Sequence, residues 1–174
     1  PPTKHQLSKQ RIMPTPHRPT LHPDAPMLTA NDLVELAREV LRIEAEAVHG
    51  LVALIDDSFV AAVQMVLKCT GRVVVSGMGK SGHIGRKIAA TMASTGTPAF
   101  FVHPAEASHG DMGMITPDDI IIALSNSGES HELISLLPSL KRHGTRLIAI
   151  TGVATSSLAT QADVHLNAAV EKEA

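Results

Sequence analysis

The sequence predicts an α/β fold in which a parallel sheet lies between two layers of helices. One observation is a series of short, β-branched apolar runs without alternation, which is typical of strands buried on both faces. The other is that helical patterns separate most of these runs, so that helical crossovers join successive strands into βαβ units. Since such crossovers are right-handed, we expect a three-layer, doubly wound arrangement.

Five segments carry the strand pattern. They are residues 73–75, 99–102, 120–124, 147–150 and, more weakly, 164–166. Apolar residues at helical spacing lie between them, and these segments are residues 84–93, 132–142 and a short piece at 157–161. A five-stranded parallel sheet accounts for all of these segments.

The chain before the first strand predicts a helical hairpin packed on something larger. Thr29 and Asp32 form a start similar to a capping box, and apolar residues then recur at helical spacing to Leu41. Gly50 marks a pause, after which a second apolar stripe continues to Leu67. This broad stripe could also serve a subunit interface, because an antiparallel pair of helices can bury two faces.

Length and composition limit the domain organisation and the partners. The 174 residues fit one domain. Residues 1–28 hold seven of the 11 prolines and few apolar residues, so we expect a flexible tail there and a folded domain at 29–174. The formal net charge of -2 argues against nucleic acid or an anionic membrane as the main partner. One cysteine, Cys69, excludes an internal disulfide framework and suits a reducing cytoplasm.

The first strand ends in a glycine-rich turn, where residues 77–82 read GMGKSG. The motif G-x-G-x-x-G between a strand and a helix is the setting of a dinucleotide site. However, the second strand ends at His103 without the acid that holds a ribose. The turn also ends like a Walker A loop, but the earlier glycine of that motif falls at Val74, inside the strand. What remains is a helix start with Lys80 and Ser81 that suits a small anion.

The third strand ends in a serine-rich turn, where residues 125–130 read SNSGES. Three hydroxyls and free N–H groups at a helix start can hold a phosphate through neutral donors and the helix dipole. An ordinary N-cap explains one serine, but not three serines and a glycine in six residues. Ligands of open α/β sheets bind beyond the carboxyl strand ends, where the strand order reverses. We therefore expect one ligand to lie across both turns.

Acid–base groups lie close to these turns. Glu132 is in the first turn of the following helix, where it either serves catalysis or compensates the helix dipole. Lys80 is the only lysine in either turn, and its alternative role is a solvated charge. Of the 10 histidines, His103 and His109 are the best candidates for proton transfer or metal contact. No histidine pair has a specific zinc spacing.

Taken together, these motifs resemble the sugar isomerase (SIS) domain, and within it the family of bacterial D-arabinose 5-phosphate isomerases. The matching segments are GMGKSGHIGR at 77–86, STGTP at 94–98, HPAEASHGD at 103–111, SNSGES at 125–130 and KEA at 172–174. The serine turn alone indicates the broad domain, whereas the lysine in the glycine turn and the expected loop at 104–117, which carries His109 (the histidine loop), indicate the isomerases. The resemblance covers essentially the whole expected domain, and it implies the flavodoxin-like strand order 2-1-3-4-5.

The resemblance implies an activity and a set of site residues. The family interconverts D-ribulose 5-phosphate and D-arabinose 5-phosphate, a step towards Kdo, the acidic sugar of Gram-negative lipopolysaccharide. By resemblance, the catalytic residues are Lys80, Glu132 and Glu173, with His109 assisting. The implied substrate-binding residues are Ser81, Gly96, Thr97, His103, His109, Ser125, Ser127, Gly128 and Ser130.

Further expectations come from the same resemblance. No cofactor is required, and His103 matches a position where family members take a zinc ion that inhibits. The enzymes are cytoplasmic homotetramers that bind a small pentose phosphate. Members continue past the position of Ala174 with another active-site histidine and a pair of CBS modules, so the chain is expected to be truncated.

Two alternatives to this activity stay open. One is a SIS module that binds a sugar phosphate without catalysis, and the other is a different isomerase or an etherase of the superfamily. Lys80, Glu132 and Glu173 favour an enzyme, because a pure sensor has no chemical need for them.

Overall fold

A computed structural model describes residues 28–108 and 110–172. The predicted tail therefore lies outside the described residues, apart from Leu28, and so do His109 and Glu173. The chain divides into two compact units, Pro1–Arg38 and Glu39–Ala174. The described part of the first unit is the start of a helix, and the second unit contains the sheet.

The N-terminal helices are α1 (Ala30–Gly50) and α2 (Asp57–Leu67), separated by a 3₁₀ turn at Leu51–Leu54. The predicted capping box is confirmed, because Asp32 N–H donates to Thr29 Oγ1 at 3.2 Å and Thr29 N–H donates to the Asp32 carboxylate at 2.8 Å. The second predicted helix is interrupted, since the Asp56 carboxylate accepts from Ser58 N–H at 2.8 Å and starts a new helix.

The helix axis bends by 84° between Ala30–Leu54 and Asp57–Leu67. Across the described residues, no single helix is long and apolar enough to cross a membrane, and this bent pair alone passes by length and composition.

Within the described ranges, five parallel strands form one sheet in the order β2-β1-β3-β4-β5. Their bounds are β1 Val73–Gly77, β2 Ala99–Phe101, β3 Ile120–Leu124, β4 Arg146–Thr151 and β5 Val164–Asn167. The predicted fold class and strand order are confirmed. Every residue of β1 and β3 is buried, as their continuous apolar runs predict.

Helices cover both faces of the sheet. The connecting helices are α3 Gly79–Ser94, α4 Pro104–Ser108, α5 His131–His143 and α6 Ser157–Gln161, with a second 3₁₀ turn at Asp111–Met114. On one face, Val74 packs in a core with Leu133 of α5 and Leu158 of α6. On the other face, Val73 and Val75 pack with residues of α2 and α3. Hence α3 and α5 lie in opposite layers.

A buried carboxylate fastens the amino ends of β1 and β3. The Asp119 side chain is 1% exposed and accepts from Arg72 N–H at 2.7 Å, from Thr116 N–H at 2.8 Å and from the Arg72 guanidinium at 3.2 Å. Burial opposes the charged form, but these hydrogen bonds outweigh it and hold the pKa of Asp119 below its usual value. The Arg72 guanidinium also lies 4.6 Å from the Phe100 ring centroid.

Candidate functional site

Residues 77–82 (the glycine turn) and residues 125–130 (the serine turn) leave the sheet from neighbouring positions. Gly77 pairs with Leu124 in the parallel register of β1 and β3, and each residue ends its strand. Between β1 and β3 the strand order reverses, which is where ligands of such sheets bind. The two turns therefore begin side by side, as a ligand lying across both would require.

The glycine turn forms the start of α3, five residues before the predicted helix at residue 84. Gly79 has a φ of +52°, a conformation that residues with a side chain rarely adopt. A Cβ atom on Gly82 would lie 2.7 Å from the Gly77 carbonyl oxygen, so glycine permits the close approach of helix and strand. Lys80, which is exposed, and the half-buried Ser81 lie in the first helical turn.

Hydrogen bonds inside the serine turn arrange its hydroxyls. The buried Ser125 Oγ accepts from Gly128 N–H at 3.1 Å and lies 2.9 Å from Ser130 Oγ. The exposed Ser127 Oγ accepts from Glu129 N–H at 3.2 Å, which leaves its own proton available to a ligand. Gly128 supplies the sharp turn with a φ of +66°.

Helices α3 and α5 differ from the other long helices in how they begin. Among the described α-helices longer than eight residues, α1 and α2 start with the side-chain caps given above. By contrast, neither Met78 before α3 nor Ser130 before α5 makes a side-chain cap. Their first backbone N–H groups therefore lack a side-chain acceptor, and both helix starts lie at the edge where Gly77 and Leu124 end their strands. This arrangement suits an anion.

His103 lies at the same edge, after β2. Ser76 Oγ donates to the Val102 carbonyl at 2.8 Å, and Val102 N–H donates to the Val75 carbonyl at 2.9 Å. These bonds tie the start of the histidine loop to the end of β1. The half-buried His103 ring accepts from Ala105 N–H through Nδ1 at 3.3 Å, which fixes the orientation of the ring at this edge.

The structure brings most of the predicted site residues to this carboxyl edge of the sheet. They are Lys80, Ser81, His103, Ser125, Ser127, Gly128, Ser130 and Glu132. Glu132 is half-buried in the first turn of α5. The predicted His109 and Glu173 fall outside the described residues.

Gly96 and Thr97 lie at the opposite edge. Gly96, with a φ of +97°, follows the end of α3, and Thr97 N–H donates to the Met92 carbonyl at 2.9 Å. Pro98, the next residue, accepts from Val73 N–H at the start of β1. The length of β1, about 16 Å, separates these residues from the glycine turn. Within one chain, the structure does not bring them to the site.

Metal ligands do not gather in the part of the chain that the structure describes. No group of three or more His, Cys, Asp or Glu side chains there could hold a metal ion. His103 thus lacks a ligand set among the described residues.

A loop that the sequence analysis did not assign to the site supports the serine turn. Residues 152–158 make three hydrogen bonds to it: Gly152 N–H to the Asn126 carbonyl at 2.9 Å, Leu158 N–H to the Gly128 carbonyl at 3.1 Å, and Ser157 N–H to Glu129 Oε1 at 2.7 Å. The helix at 157–161 was predicted, and what the sequence did not indicate is its contact with the serine turn.

Comparisons with known proteins agree with this geometry. A family model described as SIS domain matches residues 66–174. Arabinose 5-phosphate isomerase KdsD of Pseudomonas aeruginosa is 58% identical over 143 residues, which are 82% of this chain and 44% of that protein. KdsD of Escherichia coli K12 is 57% identical over the same length and with the same coverage. The chain thus spans less than half the length of the curated relatives it matches.

Two solved structures extend the comparison. An Escherichia coli CFT073 protein in complex with arabinose 5-phosphate has a TM-score of 0.80 and 44% identity, covering 84% of this chain and 78% of that one. A putative sugar-phosphate isomerase from Listeria monocytogenes has a TM-score of 0.82 and 30% identity, with the same two coverages.

Proposed function

The chain belongs to the SIS domain family, and on that premise we propose that it interconverts D-ribulose 5-phosphate and D-arabinose 5-phosphate. One observation carries the proposal. Helices α3 and α5 both start without a side-chain cap, and they start side by side at the paired ends of β1 and β3. Lys80 lies in the first turn of α3, and Glu132 lies in the first turn of α5. The KdsD relatives and the neighbour in complex with arabinose 5-phosphate support a pentose phosphate as the substrate.

The serine turn holds the phosphate of the sugar. Ser127 and Ser130 present hydroxyls, and the start of α5 presents backbone N–H groups together with the positive end of its dipole. These are neutral donors, so they bind a dianion without adding a cation at the same point. Binding at this end directs the acyclic sugar towards the glycine turn.

Proton transfer needs a base beside the carbonyl carbon. Starting from the aldose, the Glu132 carboxylate removes the proton from C2, the electrons of the C2–H bond form the C1=C2 bond of a cis-enediol, and the carbonyl electron pair moves to O1. The proton then returns from Glu132 to C1, and O2 becomes the carbonyl oxygen of the ketose as its hydroxyl proton passes to O1. Lys80 stabilises the negative charge that develops on the enediol oxygens. Glu132 is suited to this role because it lies in the first turn of α5, directly after the serine turn.

Two further residues complete the proposed mechanism through the family resemblance. His109 assists the opening or positioning of the sugar, and Glu173 orients Lys80 or relays a proton. No cofactor takes part, and His103 lies along the sugar instead of serving a required metal. We place the reaction in the cytoplasm, in the supply of D-arabinose 5-phosphate for Kdo and lipopolysaccharide.

We also propose that the enzyme is a homotetramer. An entirely apolar groove of about 240 Å³ runs between α2 and the sheet, bordered by Phe59, Val63 and Ile150. Exposed apolar surface of this kind indicates a protein interface. Gly96 and Thr97 lie far from the site of their own chain, so their implied contact with substrate requires a second copy.

Incubation with D-ribulose 5-phosphate tests the function. The chain and a longer form carrying the additional length of the relatives are assayed in parallel for D-arabinose 5-phosphate. We expect the aldose to form and the reverse reaction to consume it. If the longer form binds the sugar phosphate without turnover, the protein is a non-catalytic SIS module, and if it turns over a different phosphosugar, the substrate assignment is wrong.

A further inference from the structure

Glu129 is placed unusually for a residue of a phosphate-binding turn. A carboxylate near a dianion repels it, so an acidic side chain in such a turn needs a compensating role. The exposed Glu129 side chain accepts from Ser157 N–H through Oε1 at 2.7 Å, which places its charge at the start of α6. This bond is charge-assisted, and it satisfies a helix N-terminal donor.

The serine turn caps the start of α6 almost completely. Glu129 Oε1 accepts from Ser157 N–H, the Gly128 carbonyl accepts from Leu158 N–H at 3.1 Å, and Ser156 Oγ accepts from Ala159 N–H at 3.3 Å. Two of these three acceptors belong to the serine turn. The turn and the helix start therefore hold each other in place.

Glu129 also connects the start of α6 to the exposed Ser127 hydroxyl. Its backbone N–H donates to Ser127 Oγ at 3.2 Å, while its side chain is bonded to Ser157. On its other side, Gly128 packs so tightly against Ser156 that a Cβ atom would lie 2.0 Å from Ser156 Oγ. A shift of Glu129 would thus change both the backbone of the turn and the direction of the Ser127 hydroxyl.

From these contacts we propose that Glu129 is a positioning residue, which holds the serine turn in its phosphate-binding arrangement through Ser157 and does not touch the substrate. The inference rests on the proposed function, because it assumes that the serine turn binds the phosphate. Glu129 would thus affect phosphate binding although its side chain neither accepts the substrate proton nor contacts the sugar.

Two explanations of the Glu129 side chain predict opposite changes in phosphate affinity when it is removed. If the carboxylate acted only as a charge near the phosphate, Glu129→Ala would tighten anion binding by removing repulsion. If it positions the turn, Glu129→Ala weakens the binding of inorganic phosphate roughly 3- to 10-fold, which is what losing one hydrogen bond commonly costs. In turnover assays the same variant raises KM for the sugar phosphate and leaves kcat nearly unchanged.

Glu129→Gln and Ser157→Pro separate the hydrogen bond from the charge. Glutamine keeps the oxygen acceptor and loses the charge, so it restores phosphate affinity to about that of the parent chain or tighter. Proline at Ser157 removes the donor, and it suits the first position of α6 because Ser156 before it is extended at ψ 159°. We expect Ser157→Pro to match Glu129→Ala, and the double variant to be no weaker than either.

The measurement is calorimetric titration with inorganic phosphate, with Glu44→Ala as the control because Glu44 is an exposed acid on α1 and not part of the serine turn. Thermal unfolding is recorded for every variant to show that it folds. If Glu129→Ala does not fold, the phosphate affinity of Ser157→Pro tests the positioning role in its place. A folded Glu129→Ala that binds phosphate as tightly as the parent overturns the positioning role alone. A parent chain that binds neither phosphate nor sugar phosphate overturns the proposed phosphate site, and this inference with it.

Discussion

Gly77 and Leu124 are partners in the register of β1 and β3, and both are the last residues of their strands. From Gly77 the chain enters α3, in one helical layer, and from Leu124 it proceeds through the serine turn to α5, in the other layer. The crevice between the two layers thus opens where the two helices begin. This pairing explains why two turns that are 48 positions apart in sequence can serve one ligand.

Ser127→Ala tests the phosphate site with little disturbance of the fold. Ser127 is exposed, and its Oγ accepts from Glu129 N–H alone among the described groups. A hydrogen bond to a charged group contributes about 1.5–3 kcal/mol, so phosphate affinity and 1/KM should fall about tenfold or more, with a smaller change in kcat. Titration with inorganic phosphate measures the effect. Ser94→Ala is the control, since that hydroxyl bonds the Thr91 carbonyl and no other described group. Equal phosphate affinity in the two variants would contradict the assignment.

Glu132→Gln tests the base. The amide keeps the shape of the side chain but cannot accept the proton, and a positioned base supplies about 10²–10⁴-fold in rate. We expect kcat to fall by at least a hundredfold while phosphate affinity stays close to that of the parent. Steady-state kinetics and phosphate titration on the same preparations separate the two quantities. A variant that retains near-parental turnover would show that another group removes the proton.

The central strands β1 and β3 were predictable because they are buried on both faces and therefore continuous in apolar character. Helix starts were harder to place, since α3 begins inside the glycine turn at Gly79, before any apolar spacing is visible. Helix α4 occupies part of the expected histidine loop, although Pro104 at its first position with Glu106 in its first turn is a recognised start signal. The break before α2 likewise follows from the cap at Asp56.

The candidate site was predictable where local motifs carry it and not where distant residues meet. The serine turn indicated an anion site by its own composition, and the order of the strands placed it beside Lys80. The hydrogen bond from Ser157 N–H to Glu129 joins residues 28 positions apart, and no local sequence pattern predicts it. The distance of Gly96 from the turns also depends on which end of β1 the chain reaches, and this is known only once the strands are paired.

Val63→Glu tests the proposed assembly. Val63 is 40% exposed and borders the apolar groove beside α2, so a buried negative charge there would oppose association. We expect the mass in solution, measured by light scattering, to fall from tetramer to a smaller species. Gln64→Glu adds the same charge at an exposed polar position next along the helix and should leave the mass unchanged. A tetrameric Val63→Glu variant would place the interface elsewhere.

Asp119→Asn tests the hydrogen bonds of the buried Asp119 carboxylate at the amino ends of β1 and β3. Its pKa is lowered in the folded chain, so the carboxylate stabilises the fold above its unfolded pKa of about 3.9, and this contribution is lost as the pH falls further through the folded pKa. At pH 7 we expect the variant to lose about 2 kcal/mol of unfolding free energy, a value kept modest because Arg72 is half-exposed. Urea unfolding at pH 7 and near pH 3 checks this. The difference in unfolding free energy between parent and variant should be smaller near pH 3 than at pH 7. A larger difference in acid would contradict a lowered pKa of Asp119.

Gly128→Ala separates backbone strain from close packing, with Gly144→Ala as its matched control. Both glycines have a positive φ, +66° and +74°, so alanine costs about 1–2 kcal/mol at either position. A Cβ atom at Gly144 meets nothing within 4 Å, whereas at Gly128 it lies 2.0 Å from Ser156 Oγ and 2.4 Å from Ser156 Cβ. Urea unfolding should therefore show the larger loss of stability for Gly128→Ala, accompanied by loss of phosphate binding.

Ser156→Gly identifies the clash behind that difference. It removes both crowding atoms, and the next contact of the added Cβ is Thr151 Cγ2 at 3.4 Å, an ordinary van der Waals distance. Because the glycine also deletes the cap on Ala159 N–H, it destabilises the chain by itself, by roughly a few tenths of a kcal/mol. In that background Gly128→Ala should cost no more than Gly144→Ala does. Additive losses in the double variant would instead mean that strain at Gly128, and not its packing on Ser156, requires glycine in the serine turn.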